Sequence, residues 1–182
     1  MRVTTSVSPA RMKSSSHIVF MSRFLLGTPY PSLVADVERL LEELPEIPGT
    51  GGDPALWLDS SGVGRGIADM FEEAGCALHG VTIVGGNEVT NNGRRDMRIP
   101  KTRLIGNLQL ALQTYRIAVS SDILVLPTWI SEMENFLMRV SNSGAATREA
   151  FSEQVHDDLV VAAAIACWAA DNPARRATNR FI

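Results

Sequence analysis

The chain has 182 residues, of which 45% are hydrophobic and 20% charged, the length and composition of a single domain with its own core. Its formal net charge of -3 excludes a protein that holds nucleic acid by bulk positive charge, so such contacts require a local basic patch. No apolar run reaches the roughly 18 residues that span a bilayer, and no signal-peptide stretch opens the chain, so we expect a soluble, intracellular protein without a membrane partner.

The first half of the chain predicts two strand-helix pairs after a lead. Residues 1–16 show no sustained periodicity and are expected to form a flexible lead. The β-branched and aromatic run of 17–26 predicts a strand, and apolar residues spaced three and four apart over 31–44 predict a helix that Pro45 ends. The sequence ALWLD then predicts a short buried strand ending at Asp59, and VGRGIADMFEEAG predicts a second helix.

The second half continues the alternation. Residues 77–86 predict a strand, and Asn92-Gly93 between two extended pieces predicts a hairpin. Proline at its first turn and helical apolar spacing predict a helix over 100–115, which RIAVS follows as a brief strand. This order of elements, without internal repeats, indicates an α/β layer architecture.

The C-terminal part is less regular in sequence. WISEMENFLMRV is ambiguous, because a helical start passes into an extended FLMRVS. Residues 141–153 resemble a loop, with one edge strand as the alternative. Alanine-rich 156–170 predicts a mostly buried helix, and 172–182 predicts a frayed basic tail. Cys76 and Cys167 lie 91 residues apart in apolar surroundings, which favours two reduced, buried thiols.

Asp59 and the glycines behind it form the first candidate site. Gly62, Gly64 and Gly66 have neither the spacing of a dinucleotide loop nor the lysine of a Walker loop, so they are expected to serve a tight strand-to-helix turn. A nucleotide-binding α/β protein is therefore only a third hypothesis. Asp59 itself ends a strand, where open α/β sheets bind ligands, although a helix N-cap is the alternative interpretation.

The acids at the start of the last helix form the second candidate. Asp157 and Asp158 follow His156, and the alternative interpretation is that they only favour the positive end of the helix dipole. If one of them converges with Asp59, the two carboxylates are hard oxygen ligands suited to Mg or Mn, the ions that assist in-line phosphodiester cleavage. His156 is then a candidate proton carrier.

A basic segment is the third candidate. In an acidic chain it is the obvious phosphate-contact patch, and the alternative is a solvated hairpin tip. His17 and His79 lie in strand-like contexts without ligand-type neighbours and are interpreted as structural. The basic residues of the segment are Arg94, Arg95, Arg98, Lys101 and Arg103.

Five stretches between 17 and 171 are informative when taken together: LLGTPYPSLVADV, LWLDSSGVGRGIADMFEEAG, VTIVGG, RIPKTRLIGNLQLALQ and VHDDLVVAAAIACWAA. In this order they resemble the C-terminal nuclease domain of phage terminase large subunits. The resemblance implies an RNase H-like fold, a mixed sheet flanked by helices, whose acidic cluster binds two divalent metals and cuts double-stranded DNA during packaging. It further implies the cytoplasm of a bacterial host cell and other terminase or portal components as partners.

Carried over by position, the resemblance assigns metal ligation to Asp59 and to Asp157 or Asp158, without choosing between the last two. Lys101 matches the proline-lysine helix start of the family, and the glycines of SSGVGRG match its turn after the acid. In this context we favour a metal ligand at Asp59 over a plain cap.

The chain also departs from the family pattern. The family opens its nuclease domain with a strand that bears another catalytic aspartate, whereas this chain has no acid before Asp36, and no Walker loop of an ATPase domain. Some relatives carry an additional acid where this chain has Val161. We therefore expect a fragment that lacks the first strands and leaves a sheet edge unpaired. A non-catalytic DNA-binding or interaction remnant of the same fold is the alternative function.

Overall fold

The computed structural model describes residues 2–6, 15–43, 55–91, 96–143 and 157–172. Strands and helices alternate along most of this length, as the hydrophobic periodicity predicts. The strands are β1 Arg2–Ser6, β2 Ser15–Phe20, β3 Leu56–Asp59, β4 Leu78–Val84, β5 Thr90–Asn91, β6 Asp96–Pro100 and β7 Ile117–Val119. The helices are α1 Tyr30–Glu43, α2 Gly64–Glu73, α3 Lys101–Gln113, α4 Leu126–Ser143 and α5 Asp158–Asp171.

The described strands pair in two mixed groups. One has the order β1-β2-β7, in which β2 is antiparallel to β1 and parallel to β7. The other has the order β3-β4-β6-β5, in which β3, β4 and β6 are parallel and β5 is antiparallel. The protein is thus an α/β protein with mixed sheet pairing flanked by helices, which confirms the predicted class at that level. Among the described strands, β3 and β5 lie at the two edges of the second group.

Side chains of the four-stranded sheet alternate between two hydrophobic clusters. Leu56 and Leu58 join the smaller cluster, which α1 and α2 complete around buried Phe71. Trp57 and the fully buried Val81 join the larger one, which includes α3, α4 and α5. Burial on both faces explains why the strands read as continuous apolar runs rather than as an alternating pattern.

Helix α5 is the centre of the larger cluster. It packs beside α3 and contacts β1, β2 and β3, so it touches both groups of strands. Its small residues Ala163 and Ala164 have no exposed surface, which allows the close approach of neighbouring backbones. The expected burial of this alanine-rich segment is confirmed, and within the described residues no helix is both long and apolar enough to cross a membrane.

Three local expectations differ from the structure. The stretch FLMRVS, expected to be extended, continues α4, because Trp129, Met133 and Phe136 bury a stripe of helical period. The expected lead over 1–16 instead contributes β1, and β2 begins at Ser15. The strand expected over 17–26 ends at Phe20, since Leu25 and Leu26 are exposed and gain nothing from sheet burial.

Candidate functional site

The carboxyl ends of the parallel strands define one edge of the four-stranded sheet, which we call the carboxyl edge. Strand β3 ends there at Asp59, and β6 ends at Pro100, where α3 begins directly with Lys101. The Nζ atom of Lys101 lies 2.5 Å from Oδ2 of Asp157, the residue just before α5. The start of α5 therefore reaches the same edge as Asp59, the region where open α/β sheets place their ligands.

A network of hydrogen bonds fixes the turn that follows Asp59. Its Oδ1 accepts a hydrogen bond from the backbone N–H of Ser61 at 2.9 Å, and Ser61 Oγ accepts one from the N–H of Ile83 at 2.8 Å. Gly62 has a φ of 54°, in the left-handed region that favours glycine. The residue that caps α2 is Val63, so Asp59 stabilises the turn and is not the N-cap of the helix.

Glycine is also required at the start of α2. A Cβ atom added to Gly64 would lie 3.1 Å from the carbonyl carbon of Asp59 and would overlap its carbonyl oxygen. The helix can begin this close to β3 only because the residue lacks a side chain. The prediction that glycines serve the strand-to-helix turn is confirmed for Gly62 and Gly64, whereas Gly66 lies within α2.

The pairing register gives the position of Asp59 relative to the start of α5. Asp59 pairs with Val81, which pairs with Met97, so Asp59 lies on the sheet face that carries the larger hydrophobic cluster. Across the sheet, Asp59 is two strands, about 10 Å, from Met97 of β6. Pro100 lies three residues, about another 10 Å, further along β6. Asp59 and Asp157 share the carboxyl edge, and this separation keeps Asp59 away from the start of α3, where Lys101 contacts Asp157.

Asp157 is held by a basic side chain. It occupies the N-cap position of α5 yet makes no side-chain cap, because its carboxylate is directed to Lys101. The side chains of the pair are 28% and 19% exposed, and the ammonium also lies 5.7 Å from the ring centre of Phe136. A residue predicted to bind metal and a residue predicted to bind nucleic acid therefore form one ion pair.

Asp158 faces a second basic residue, which the sequence analysis did not single out. Its Oδ2 lies 3.7 Å from Nη2 of Arg23, and the side chain is 71% exposed. Arg23 also forms an ion pair with Glu132 of α4, whose side chain is only 7% exposed. The sequence held a signal for Glu132, because it is a charged residue on the same helical face as Trp129 and Phe136.

The remaining predicted residues lie elsewhere or outside the described part of the chain. Arg98 pairs in register with Thr82 and Thr90 on the sheet face opposite the larger cluster, and it is exposed. Arg103 is exposed and donates a hydrogen bond to the carbonyl of Asn87 at 3.4 Å. Arg94, Arg95 and His156 lie outside the described residues.

His79 has the structural role that was predicted. The ring is buried and stacks on Trp57 with centroids 4.5 Å apart and an interplanar angle of 18°. This pair belongs to neighbouring strands at matched register. His79 therefore contributes to packing between β3 and β4.

Both cysteines are free thiols, as predicted, but the predicted burial holds only for Cys167. Cys167 is buried in α5, and burial together with the nearby Asp171 raises the pKa of its thiol to about 11. Cys76 is half-buried, and burial, followed by the nearby Glu38, raises the pKa of that thiol. Raised pKa values keep both thiols protonated and unreactive near neutral pH.

The carboxylates of the carboxyl edge can be judged against what a divalent metal requires. Mg and Mn take several hard oxygen ligands, and a two-metal centre takes more. No three acidic, histidine or cysteine side chains in the described ranges converge closely enough to hold one ion. One oxygen of Asp59 accepts a hydrogen bond and one of Asp157 contacts Lys101. The described residues alone do not form a two-metal centre.

In comparisons with known proteins, the chain matched no family model, no curated protein and no solved structure. Function is therefore inferred from the residues at the carboxyl edge and from the sequence resemblance.

Proposed function

We propose that this chain is a nuclease domain of the phage terminase type, which has an RNase H-like fold and acts on double-stranded DNA with Mg or Mn during viral DNA packaging. Other packaging components, such as terminase or portal subunits, are the protein partners that this proposal implies. The observation that carries it is that Asp59 and the Asp157-Asp158 start of α5 lie at the same edge of the four-stranded sheet, the carboxyl edge. The order of these residues along the chain is the order that the resemblance requires.

The charges of this edge also support a phosphate substrate. Lys101 lies beside Asp157, and Arg23 lies beside Asp158, so cations and carboxylates alternate where the strands end. Cations at such a position can orient a phosphodiester, while carboxylates supply the hard oxygens that divalent metals prefer. Exposed Arg98 and Arg103 add positive charge on β6 and α3 for contacts with the DNA backbone.

A plasmid-nicking assay tests the proposal. Supercoiled DNA is incubated with the protein and Mn, with EDTA as the metal-free control, and the nicked product is quantified. We expect Asp59→Ala to abolish nicking, whereas Asp69→Ala, which removes an exposed acid of α2, leaves it unchanged. Nicking that is absent from the wild type, or equal in both variants, refutes the endonuclease proposal.

A specific observation favours a second candidate, a non-catalytic DNA-binding or interaction remnant of the same fold. The Asp157 carboxylate is paired with Lys101, and in the described ranges no third acid completes a metal site. The same assay separates the two functions if duplex binding is measured in parallel. Binding that weakens steeply with salt, without Asp59-dependent nicking, supports the non-catalytic function.

A further inference from the structure

The first turn of α5 lacks the local cap that most helices have. The first four backbone N–H groups of a helix have no partner within the helix, and a side chain at the N-cap position usually accepts from one of them. Asp157 has this position but directs its carboxylate to Lys101. A partner from elsewhere in the fold is therefore needed.

Glu132 of α4 supplies that partner. Its Oε2 accepts a hydrogen bond from the backbone N–H of Leu159, in the first turn of α5, at 3.1 Å. Its Oε1 accepts one from the guanidinium of Arg23. Each oxygen of the buried carboxylate therefore has its own donor, which is the condition for a charged group to be tolerated at 7% exposure.

The position of Glu132 is also favourable electrostatically. A negative charge beside a helix N-terminus is stabilised by the helix dipole, and this helix presents its N-terminus to the Glu132 carboxylate. Arg23 lies between Glu132 and Asp158, and so it offsets the repulsion between the two acids. Arg23, which lies after β2, and Glu132 of α4 are in this way joined to the start of α5 at the carboxyl edge.

We propose that Glu132 is a positioning residue, which orders the first turn of α5 and thereby holds Asp157 and Asp158 at the carboxyl edge. Glu132 acts through the Leu159 amide and through Arg23. The consequence for nicking rests on the proposed function, whereas the ordering of α5 does not.

Amide hydrogen exchange resolved by NMR tests the ordering directly. In Glu132→Gln, which preserves the size of the side chain, one carbonyl oxygen replaces two acceptors. We expect the Leu159 amide to lose protection by about tenfold or more, because a charge-assisted hydrogen bond is lost. The Val81 amide, in the buried strand β4, should exchange as in the wild type. A general loss of stability would instead raise both rates together.

Two further variants complete the experiment. Glu134→Gln makes the same chemical change at an exposed position of α4 and should leave Leu159 exchange unchanged. Arg23→Gln removes the counter-ion that holds Glu132 and should raise Leu159 exchange by a smaller factor, which also serves if Glu132→Gln does not fold. Equal Leu159 exchange in Glu132→Gln and Glu134→Gln overturns the proposal. If Glu132→Gln does not fold, Leu159 exchange in Arg23→Gln that equals the wild-type rate overturns it.

Failure of the two proposals can be distinguished. If the wild type does not nick DNA but Leu159 exchange responds to Glu132→Gln, the positioning role stands and the endonuclease function fails. If the wild type nicks DNA and Leu159 exchange does not respond, the positioning role fails. If both hold, Glu132→Gln should nick more slowly than Glu134→Gln, because the carboxylates that Glu132 positions are then held less accurately.

Discussion

Gly64 offers a sharp test of the turn that positions Asp59. A Cβ added there would overlap the carbonyl oxygen of Asp59, and backbone on both sides prevents a cheap adjustment. Overpacking of this kind costs about 1 to 3 kcal/mol of stability. Alanine has a greater helix propensity than glycine, by up to about 1 kcal/mol, and this offsets part of the cost. The gain is smaller at Gly64, because Gly64 is the first residue of α2. We therefore expect Gly64→Ala to destabilise the fold by about 1 to 2 kcal/mol.

Gly66 is the matched control, two residues further along the same helix. A Cβ at Gly66 would meet no atom within 4 Å, and the residue is exposed. Gly66→Ala should therefore stabilise the protein by about 0.5 to 1 kcal/mol. The two alanine variants then differ by about 1.5 to 3 kcal/mol, which corresponds to roughly 3 to 12 °C in melting temperature for a chain of this size.

Thermal unfolding followed by circular dichroism measures the difference, and urea unfolding at 25 °C gives the free energies. A Gly64→Ala variant that melts at or above the wild-type temperature would show that β3 and α2 do not approach as closely as described. An unchanged Gly66→Ala variant would show instead that this helix does not respond to propensity, so that the comparison must be made with Gly106→Ala in α3, where space is also open.

Two further predictions concern charge and ionisation. Lys101→Met removes the partner of Asp157 and should lower the free energy of urea unfolding by about 1 kcal/mol, less than for a fully buried pair because both side chains are partly exposed. The control Arg103→Met, at an exposed position, should change that free energy by less than about 0.5 kcal/mol. Equal effects of the two variants would contradict the ion pair between Lys101 and Asp157. The pKa of Cys167 is raised from 9.0 to about 11, so its contribution to stability is complete below pH 9 and is lost as the pH rises toward 11. The fall in unfolding free energy between pH 9 and 11 should accordingly be shallower in Cys167→Ala than in the wild type, and parallel pH profiles would refute this.

Local patterns predicted most of the elements correctly. The three- and four-residue spacing before Glu43 and the proline at the start of α3 specify helices through short-range physics that needs no partner. The run ALWLD likewise predicted β3, because packing on both faces makes the positions before Asp59 apolar. The glycines after Asp59 were assigned correctly to a turn, since their spacing is a local property.

Errors arose where composition and tertiary burial disagree. The apolar Leu25 and Leu26 looked like strand residues but are exposed after β2, and FLMRVS looked extended but continues α4. Whether an apolar stretch is buried depends on which element covers it, and that is fixed by contacts between residues distant in sequence.

Local sequence patterns were enough to predict the α/β alternation, the strand-end position of Asp59 and the helix-start position of Asp157 and Asp158. Long-range packing, in contrast, sets the partner of each charge: Lys101 for Asp157, and Arg23 with the Leu159 amide for buried Glu132. These contacts span 56, 109 and 27 residues along the chain. Periodicity describes neighbours within a few residues, whereas charge pairing at the carboxyl edge depends on how strands and helices pack, so it cannot be read from local spacing.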